Sequence, residues 1–338
     1  MLLRKGKRIN LAGRFTFDVT AVTTESGSVF ADEQDKTAEI TEQVVIDISP
    51  DADVPALTVK NIQGLEDQAI DLKEYILGRL TDTDGSESLS YRIEVQDGWT
   101  LPVGAGITLI GINTYLVTSN ALANSEALLQ PKSDISSFTE SLSLQVTAIS
   151  TESTIDGLAP LNETAESQSA TIDIKLKGVV DEPIVLDGGQ GNWQYDQATK
   201  VISNLSTLDE DNLIQLDFII QTSDDDLSEE INILLQNIPL GTQLTDVNGD
   251  PIVLPIAYVD PITGPVYQVS NAVLENTYLK TEQDFSGTLS MDVIVVSTEP
   301  DGDSAETPLK VEMEISPIVD QLTVKNYKAM VLRTISSH

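Results

Sequence analysis

Internal self-similarity constrains the fold of this chain more than any other feature of its sequence. Three segments are alike: FTFDVTAVTTES from Phe15, LSLQVTAISTES from Leu142 and LSMDVIVVSTEP from Leu289. Each alternates apolar and polar residues and closes on a Thr-Glu pair. The closing glutamates are Glu25, Glu152 and Glu299, spaced 127 and 147 residues apart. A further alternating stretch and an acidic exit follow each copy, so the chain uses one structural unit more than once.

The first half of this unit occurs only twice. LEDQAIDL from Leu65 matches LDEDNLIQL from Leu208, and DTDGSESLSYRI from Asp82 matches DDDLSEEINILL from Asp224 at a constant offset of 142 residues. The 338 residues therefore divide into four predicted segments. These are the C-terminal half of a β-sandwich repeat with a basic leader (1–55), two complete repeats (56–183 and 184–322) and a tail (323–338).

Each complete repeat is predicted to consist of short β-strands. Strand-forming residues alternate at Leu89, Tyr91 and Ile93, and turn sequences such as VNGDP and VDPITGP separate the runs. Helix is scarce, since residues 73–80 offer at most two turns and residues 120–129 are the better candidate. We therefore predict an all-β fold of tandem antiparallel β-sandwiches arranged end to end.

The charge of the chain limits its partners. Asp and Glu number 54 against 19 Lys and Arg, a formal net charge of -35. Nucleic acid and anionic membranes reward clustered cations, so neither is an expected partner, whereas cations are. An acidic surface that serves only solubility is the alternative. The sequence contains no apolar run of about 18 residues, so no transmembrane helix is expected. The basic start MLLRKGKRIN lacks the apolar segment of a secretory signal.

Residue types exclude several kinds of catalysis. The chain has no cysteine, and its only histidine is His338 at the last position. These missing residue types exclude thiol catalysis, disulfides, catalytic triads and histidine-rich zinc sites. A carboxylate-pair glycosidase is the one enzyme class left, and carboxylates that recur with a repeat argue against a single active site. We expect no enzyme, and we expect Trp99 and Trp193 to pack in the core rather than to stack on a sugar.

The stretch DTDGSE begins like a calcium-binding loop and does not complete one. An EF-hand loop needs a bidentate glutamate at its twelfth position, but the twelfth residue counted from Asp82 is Ile93. The acidic residues of this stretch therefore need partners elsewhere in the fold.

Five motifs follow one another in a fixed order: EDQAIDL, LTDTDGSESLSYRI, GWTL, FTESLSLQVTAISTE and VVDEPIVL, and the second complete repeat adds FSGTLSMDVIVVSTE. Together they resemble the tandem cadherin-like or immunoglobulin-like repeats of giant bacterial adhesins of the RTX type, secreted by the type I route. The resemblance covers about residues 11–325. It implies an extracellular β-sandwich extender on the bacterial surface, acting in cell adhesion and biofilm, that Ca²⁺ rigidifies at the junctions between neighbouring repeats.

The resemblance also implies which carboxylates bind Ca²⁺, an ion that takes six to eight oxygen ligands. The first junction would use Glu25, Asp51, Asp53, Asp82 and Asp84. The second would use Glu66, Glu152, Asp181, Glu182, Asp224 and Asp226, and the far end would carry Glu210, Asp211, Glu299 and Asp320. In the second loop, SDDDLSEE, either Asp225 or Leu227 replaces the glycine, depending on the alignment. Alternatively, the glutamates are strand-end surface charges and residues 224–226 a solvated turn.

Three functions are compatible with these features: a calcium-stiffened structural segment, a module that binds a host or bacterial surface glycan or protein, and a glycosidase. A binding module would carry a large, aromatic-rich insertion in one copy. Aromatic residues make up only 5% of the chain, and neither complete repeat contains such an insertion. The structural segment is therefore the predicted function.

Overall fold

The computed structural model describes residues 11–25, 37–82, 85–189 and 191–320. Regular structure within these ranges is almost entirely β, which confirms the predicted all-β fold. The chain divides into two compact units, Met1–Val179 and Val180–His338, and each has its own apolar core. The segment boundaries at 55, 183 and 322 stay a prediction.

The first unit begins with a long hairpin. Strands β1 (Gly13–Thr24) and β2 (Thr37–Ile48) pair antiparallel, so that Gly13 lies opposite Ile48 at the base of the hairpin. The two strands form a sheet of their own, and most of their side chains are exposed. The hairpin therefore has no buried core comparable to that of the residues that follow it.

The rest of the first unit is a β-sandwich. It contains β3 (Ala56–Val59), β4 (Ile62–Leu65), β5 (Ile70–Asp71), β6 (Ile76–Arg79), β7 (Glu87–Glu94), β8 (Ile107–Gly111), β9 (Thr114–Thr118), α1 (Ser119–Ala123), β10 (Leu128–Leu129), β11 (Leu142–Glu152), β12 (Thr164–Glu166) and β13 (Ala170–Lys177). The main sheet has the order β4-β13-β11-β7-β9-β8, and β12 also pairs with β11. Small sheets β3-β6 and β5-β10 complete the unit. Because side chains alternate between the two faces of a strand, Ile93, Leu144 and Ile172 all point into the core.

The second unit repeats the central part of this arrangement. It contains β14 (Ile184–Asp187), β15 (Trp193–Asp196), β16 (Val201–Asn204), β17 (Leu208–Asp209), β18 (Ile214–Gln215), β19 (Phe218–Gln221), β20 (Glu230–Gln236), β21 (Gln243–Thr245), β22 (Ile256–Asp260), β23 (Gly264–Val269), α2 (Asn271–Leu274), β24 (Tyr278–Lys280), β25 (Gly287–Thr298) and β26 (Ser304–Ser316). The main sheet has the order β15-β16-β26-β25-β20-β23-β22, with β17 beside β26. Strands β20, β25 and β26 therefore correspond to β7, β11 and β13.

The helix predicted over residues 120–129 is corrected to the five residues of α1. It ends at Ala123 because Ser125 takes a left-handed φ of 58°, and Leu129 then enters β10 and the core. Among the residues described, no helix has the length and apolar character that crossing a membrane requires.

The other helix candidate, residues 73–80, contains one turn of 3₁₀-helix at Leu72–Glu74, followed by β6. Both tryptophans lie in the cores, with Trp99 2% and Trp193 5% exposed. This confirms the prediction that they pack inside the units.

Two valines at equivalent repeat positions offer a direct test of this packing. Val146 in β11 is fully buried, whereas Val19 in β1 is 47% exposed. We expect Val146→Ala to lower the free energy of unfolding by about 2 kcal/mol, since it removes buried methyl groups and leaves a cavity. Val19→Ala should change it by less than about 0.5 kcal/mol. Denaturant unfolding of both variants measures the difference, and equal losses would contradict the open hairpin.

Candidate metal centre

Acidic residues collect at one end of the first sandwich, which we call its upper end, where β7 begins and β11 ends. The antiparallel register places Glu87 directly opposite Glu152. The carboxylates of Asp82, Glu87 and Glu152 each offer an oxygen, and these oxygens all lie within 4.8 Å of one another. The backbone N–H of Asp53 donates a hydrogen bond of 2.5 Å to Glu87 Oε1, which ties the segment after the hairpin to this end.

Two of these carboxylates are buried. Glu87 is 9% and Glu152 7% exposed, and among the residues that the structure describes no donor reaches Glu87 Oε2. Burial raises the pKa of Glu87, and the nearby charges of Asp82, Glu152 and Asp53 raise it further, against the opposing hydrogen bond from Asp53 N–H. A buried charge is costly unless it is paired. Among the described residues, none supplies such a partner to Glu87 Oε2.

The upper end of the second unit carries acidic residues at the equivalent positions. The Ser228 hydroxyl lies 2.9 Å from Glu299 Oε2 and 3.1 Å from Asp224 Oδ2. The backbone N–H of Asp181 donates to Glu229 Oε2 at 3.3 Å, just as that of Asp53 does to Glu87 in the first unit. Four positions thus recur: Asp53 and Asp181, Asp82 and Asp224, Glu87 and Glu229, and Glu152 and Glu299.

Burial is again combined with missing donors in the second unit. Glu229 is 8% and Glu299 2% exposed, and within the described part of the chain no donor reaches Oε1 of either side chain. Burial raises the pKa of Glu299, and the charges of Asp224, Glu229 and Asp226 add to the effect, while the Ser228 hydrogen bond opposes it. Both upper ends therefore hold carboxylates whose negative charge is poorly compensated.

The lower end of each sandwich, where β4 and β13 end in the first unit, carries a second acidic group. Glu66 Oε1 accepts the N–H of Val179 at 2.5 Å, and Asp67 Oδ1 accepts that of Asp134 at 3.0 Å.

The second unit has the equivalent contacts at its own lower end. Glu210 Oε1 accepts from Ile318 N–H at 2.6 Å and Asp211 Oδ1 accepts from Asp284 N–H at 3.1 Å. Oxygens of Asp211, Asp284 and Asp320 lie within 4.8 Å of one another, although all three residues are exposed. Loss of hydration raises the pKa of Asp284, as do the charges of Asp320, Asp211 and Glu210.

Several predicted ligands are brought together. Asp53 lies with Asp82 at the first upper end, Asp181 and Asp226 lie with Asp224 at the second, and Glu210 lies with Asp320 at the second lower end. Their role as metal ligands stays a prediction.

Three glutamates occupy a different place from the predicted one. The sequence predicts Glu152 at the second junction and Glu299 at the far end, but both lie at the upper ends, because β11 and β25 run antiparallel to β7 and β20. The same polarity carries Glu25 away from Asp53. It follows Thr24 at the tip of the hairpin, eleven strand steps from the base, or roughly 36 Å.

Two further predicted ligands stand apart from the clusters. Asp51 Oδ1 accepts from the backbone N–H and the side-chain amide of Asn162 at 3.1 and 2.7 Å. Glu182 Oε2 lies 2.7 Å from Lys200 Nζ, and this hydrogen bond lowers the pKa of Glu182. Asp84 lies outside the described residues.

The sequence prediction omitted five acidic residues that complete the two ends: Glu87, Glu229, Asp67, Asp134 and Asp284. The offset of 142 residues relates Glu87 to Glu229, and it was the available signal for this pair. The backbone also settles the alignment of the second loop, since Leu227 has a φ of 62° where Gly85 has 84°. Leu227, and not Asp225, therefore replaces the glycine.

No protein-family model and no curated protein matches this chain. Solved structures are similar over most of its length. Protocadherin gamma B2 extracellular cadherin domains 1–5 show 13% identity and a TM-score of 0.32, with 91% of this chain and 47% of that chain covered. Mouse protocadherin-24 EC1–3 shows 12% identity and a TM-score of 0.30, with 89% of this chain and 80% of that chain covered. Drosophila N-cadherin EC1–4 shows 10% identity and a TM-score of 0.27, with 91% of this chain and 59% of that chain covered.

These neighbours are tandem cadherin domains. The chain spans about half the length of the first of them. Identities and TM-scores of this size carry no argument about what the chain does, so its function is argued from its own residues.

The left-handed leucine provides a stability test of the second loop. Leu227 is 81% exposed, and a left-handed backbone costs an L-residue roughly 1–2 kcal/mol that glycine avoids. We expect Leu227→Gly to raise the free energy of unfolding by about 1 kcal/mol, measured by denaturant unfolding. Leu240→Gly, at a fully exposed leucine of the same unit, is the control and should lower it slightly, because glycine gains more freedom in the unfolded chain.

The raised pKa of Glu87 predicts a pH-dependent effect. A carboxyl group whose folded-state pKa lies above its ordinary value of 4.5 favours the fold while protonated, and this contribution is lost as the pH rises through the folded-state value. In metal-free buffer we therefore expect Glu87→Gln to melt above the wild-type chain at pH 7, by a margin that shrinks toward zero as the pH falls to 4.5. The exposed Glu140→Gln is the matched control. Equal shifts in both variants would contradict burial as the cause.

Proposed function

We propose that this chain is a calcium-binding, structural segment of a cell-surface adhesion protein. One observation carries the proposal: both units hold the same acidic upper end, with buried carboxylate oxygens that no described donor reaches. A solvated acidic surface does not account for this, because solubility requires exposed charge. The finer proposal, from the sequence motifs, is an extracellular extender of a bacterial RTX-type adhesin that acts in adhesion and biofilm.

The donor set fits calcium. Every candidate ligand is an oxygen, which calcium prefers, and calcium–oxygen distances are about 2.3–2.6 Å. Two oxygens on opposite sides of one ion are therefore up to about 5 Å apart, and those of Asp82, Glu87 and Glu152 lie within 4.8 Å of one another. Asp82, Glu87 and Glu152 would hold the ion in the first unit. Asp224, Glu229 and Glu299 would do so in the second.

When bound, calcium would neutralise the clustered carboxylates. The chain's own contacts then link this end to the connecting segment. Glu87 accepts the N–H of Asp53, and the Ser150 hydroxyl donates to the carbonyl of Asp53 at 2.6 Å. Glu87, held by the ion, would fix this segment at its N–H, while Ser150 fixes it at its C=O. We propose that calcium stiffens the passage from one repeat to the next in this way.

We propose a structural rather than a catalytic role for these carboxylates. They recur at matching positions in two units, whereas an active site usually occurs once. Their spacing also places the charges against each other inside the end of a sandwich rather than on the two sides of a substrate cleft.

A calcium titration of the full chain tests the proposal. At a concentration of 100 times the dissociation constant, a ligand that binds only the folded state stabilises it by about 2.7 kcal/mol. This corresponds to a melting temperature several degrees higher for units of this size. We expect 10 mM calcium, which is 100 times a dissociation constant of about 10⁻⁴ M in the range of extracellular calcium modules, to produce such a shift relative to excess chelator.

Matched variants locate the effect. Glu299→Gln should remove most of the calcium-dependent shift of the second unit, whereas Glu306→Gln, an exposed glutamate on the neighbouring strand β26, should leave it intact. Melting curves that coincide in calcium and chelator for the wild-type chain would overturn the calcium proposal.

A further inference from the structure

The hairpin of β1 and β2 corresponds to β11, β12 and β13 of the first sandwich. There, β11 and β13 bury one face in the core, and β11 is paired along both edges. The tripeptide Thr-Ala-Glu at 37–39 in β2 repeats that at 164–166 in β12. Its register is also the same, because Glu39 lies opposite Val22 of β1 as Glu166 lies opposite Ile149 of β11. From Val44 onward the correspondence shifts by one residue: Val44 lies opposite Phe17 as Ile172 lies opposite Leu144, and Ile46 lies opposite Phe15 as Ile174 lies opposite Leu142.

The apolar face of the hairpin is open where its counterpart is closed. Phe17, Val19, Val44 and Ile46 are 36–48% exposed, whereas their counterparts Leu144, Val146, Ile172 and Ile174 are at most 3% exposed. Contiguous exposed apolar surface of this kind marks interaction sites in soluble proteins. The residues are suited to a core, and nothing in the described part of the chain covers them.

One edge of the hairpin is open as well. In the first unit, β7 pairs antiparallel with β11 from Glu87 opposite Glu152 to Glu94 opposite Gln145, and in the second unit β20 pairs with β25 in the same way. The corresponding edge of β1 has no strand beside it in the described residues, because β1 and β2 form a two-stranded sheet. An open strand edge is a template for pairing with another segment.

Charge indicates what kind of strand fits this edge. Arg92 of β7 reaches across β11 to Glu166 through two hydrogen bonds of 2.8 and 2.7 Å. Glu39 occupies the position of Glu166 beside β1. An arginine on a strand added to β1, opposite Thr20, would therefore meet Glu39. The residue two places further along that strand would lie opposite Asp18, which disfavours an acidic side chain there.

We propose that the hairpin binds an extended segment of another polypeptide by strand addition along β1. The segment has the pattern of β7: alternating apolar residues that extend the open face, an arginine that pairs with Glu39, and a basic residue opposite Asp18. Main-chain hydrogen bonds supply affinity in this mode of recognition, and the side-chain pattern supplies specificity. This role is independent of calcium.

The test uses the full chain and a synthetic peptide of residues 86–96 that carries Glu94→Lys. We expect saturable binding by calorimetry and slowed hydrogen exchange of amides in β1. Placing Arg92→Glu in the peptide should weaken binding about fivefold, the upper value for an exposed ion pair. Glu39→Arg in the chain should weaken binding of the parent peptide by a similar factor, and it should restore binding of the peptide that carries Arg92→Glu.

Glu140→Arg in the chain is the control for net charge, because this exposed residue lies in the sandwich, and it should leave the charge-pair pattern unchanged. The substitutions are at surface positions, so loss of folding does not confuse the result. Equal binding of both peptides, no protection of β1, or self-association of the chain through β1 with no peptide bound would each overturn the proposal.

Discussion

The antiparallel pairing of β7 with β11, and of β20 with β25, determines most of what is distinctive in this chain. A strand that ends in a Thr-Glu pair must bring its glutamate next to the first residues of its partner, and those residues are acidic. The pairing that closes each sandwich therefore also confines carboxylates at one end of it. Folding and charge repulsion oppose each other at that point in both units, and in the proposed function bound calcium would relieve the repulsion.

The sequence was sufficient to predict the strands and the repeating architecture, because alternation and self-similarity are local properties of the chain. The recurring motifs also placed Asp53 with Asp82 and Asp181 with Asp224, although 29 and 43 residues separate the members of these pairs along the chain. The motifs do not specify the polarity of the long strands, and for that reason Glu152 and Glu299 lie at the opposite end from the predicted one. Which end of a sandwich a strand terminus occupies depends on the pairing partner, and a residue pattern does not specify that partner.

Burial was the other property that the sequence did not reveal. Glu87 follows an acidic turn and looks like any other charged residue at the start of a strand. Only the fold shows that one of its oxygens accepts a backbone N–H while the other is enclosed. The exposed Phe17 and Val19 present the opposite case, because their pattern predicts a core and the described strands do not close one around them.

The hydrogen bond from the backbone of residue 53 to a buried carboxylate has a consequence for how the connection tolerates change. The contact involves the main-chain amide and not the aspartate side chain, so every residue except proline donates it equally well. The side chain at position 53 can therefore vary while this hydrogen bond is kept. Proline, which stands two residues later at Pro55, would remove the hydrogen bond if it were shifted to position 53.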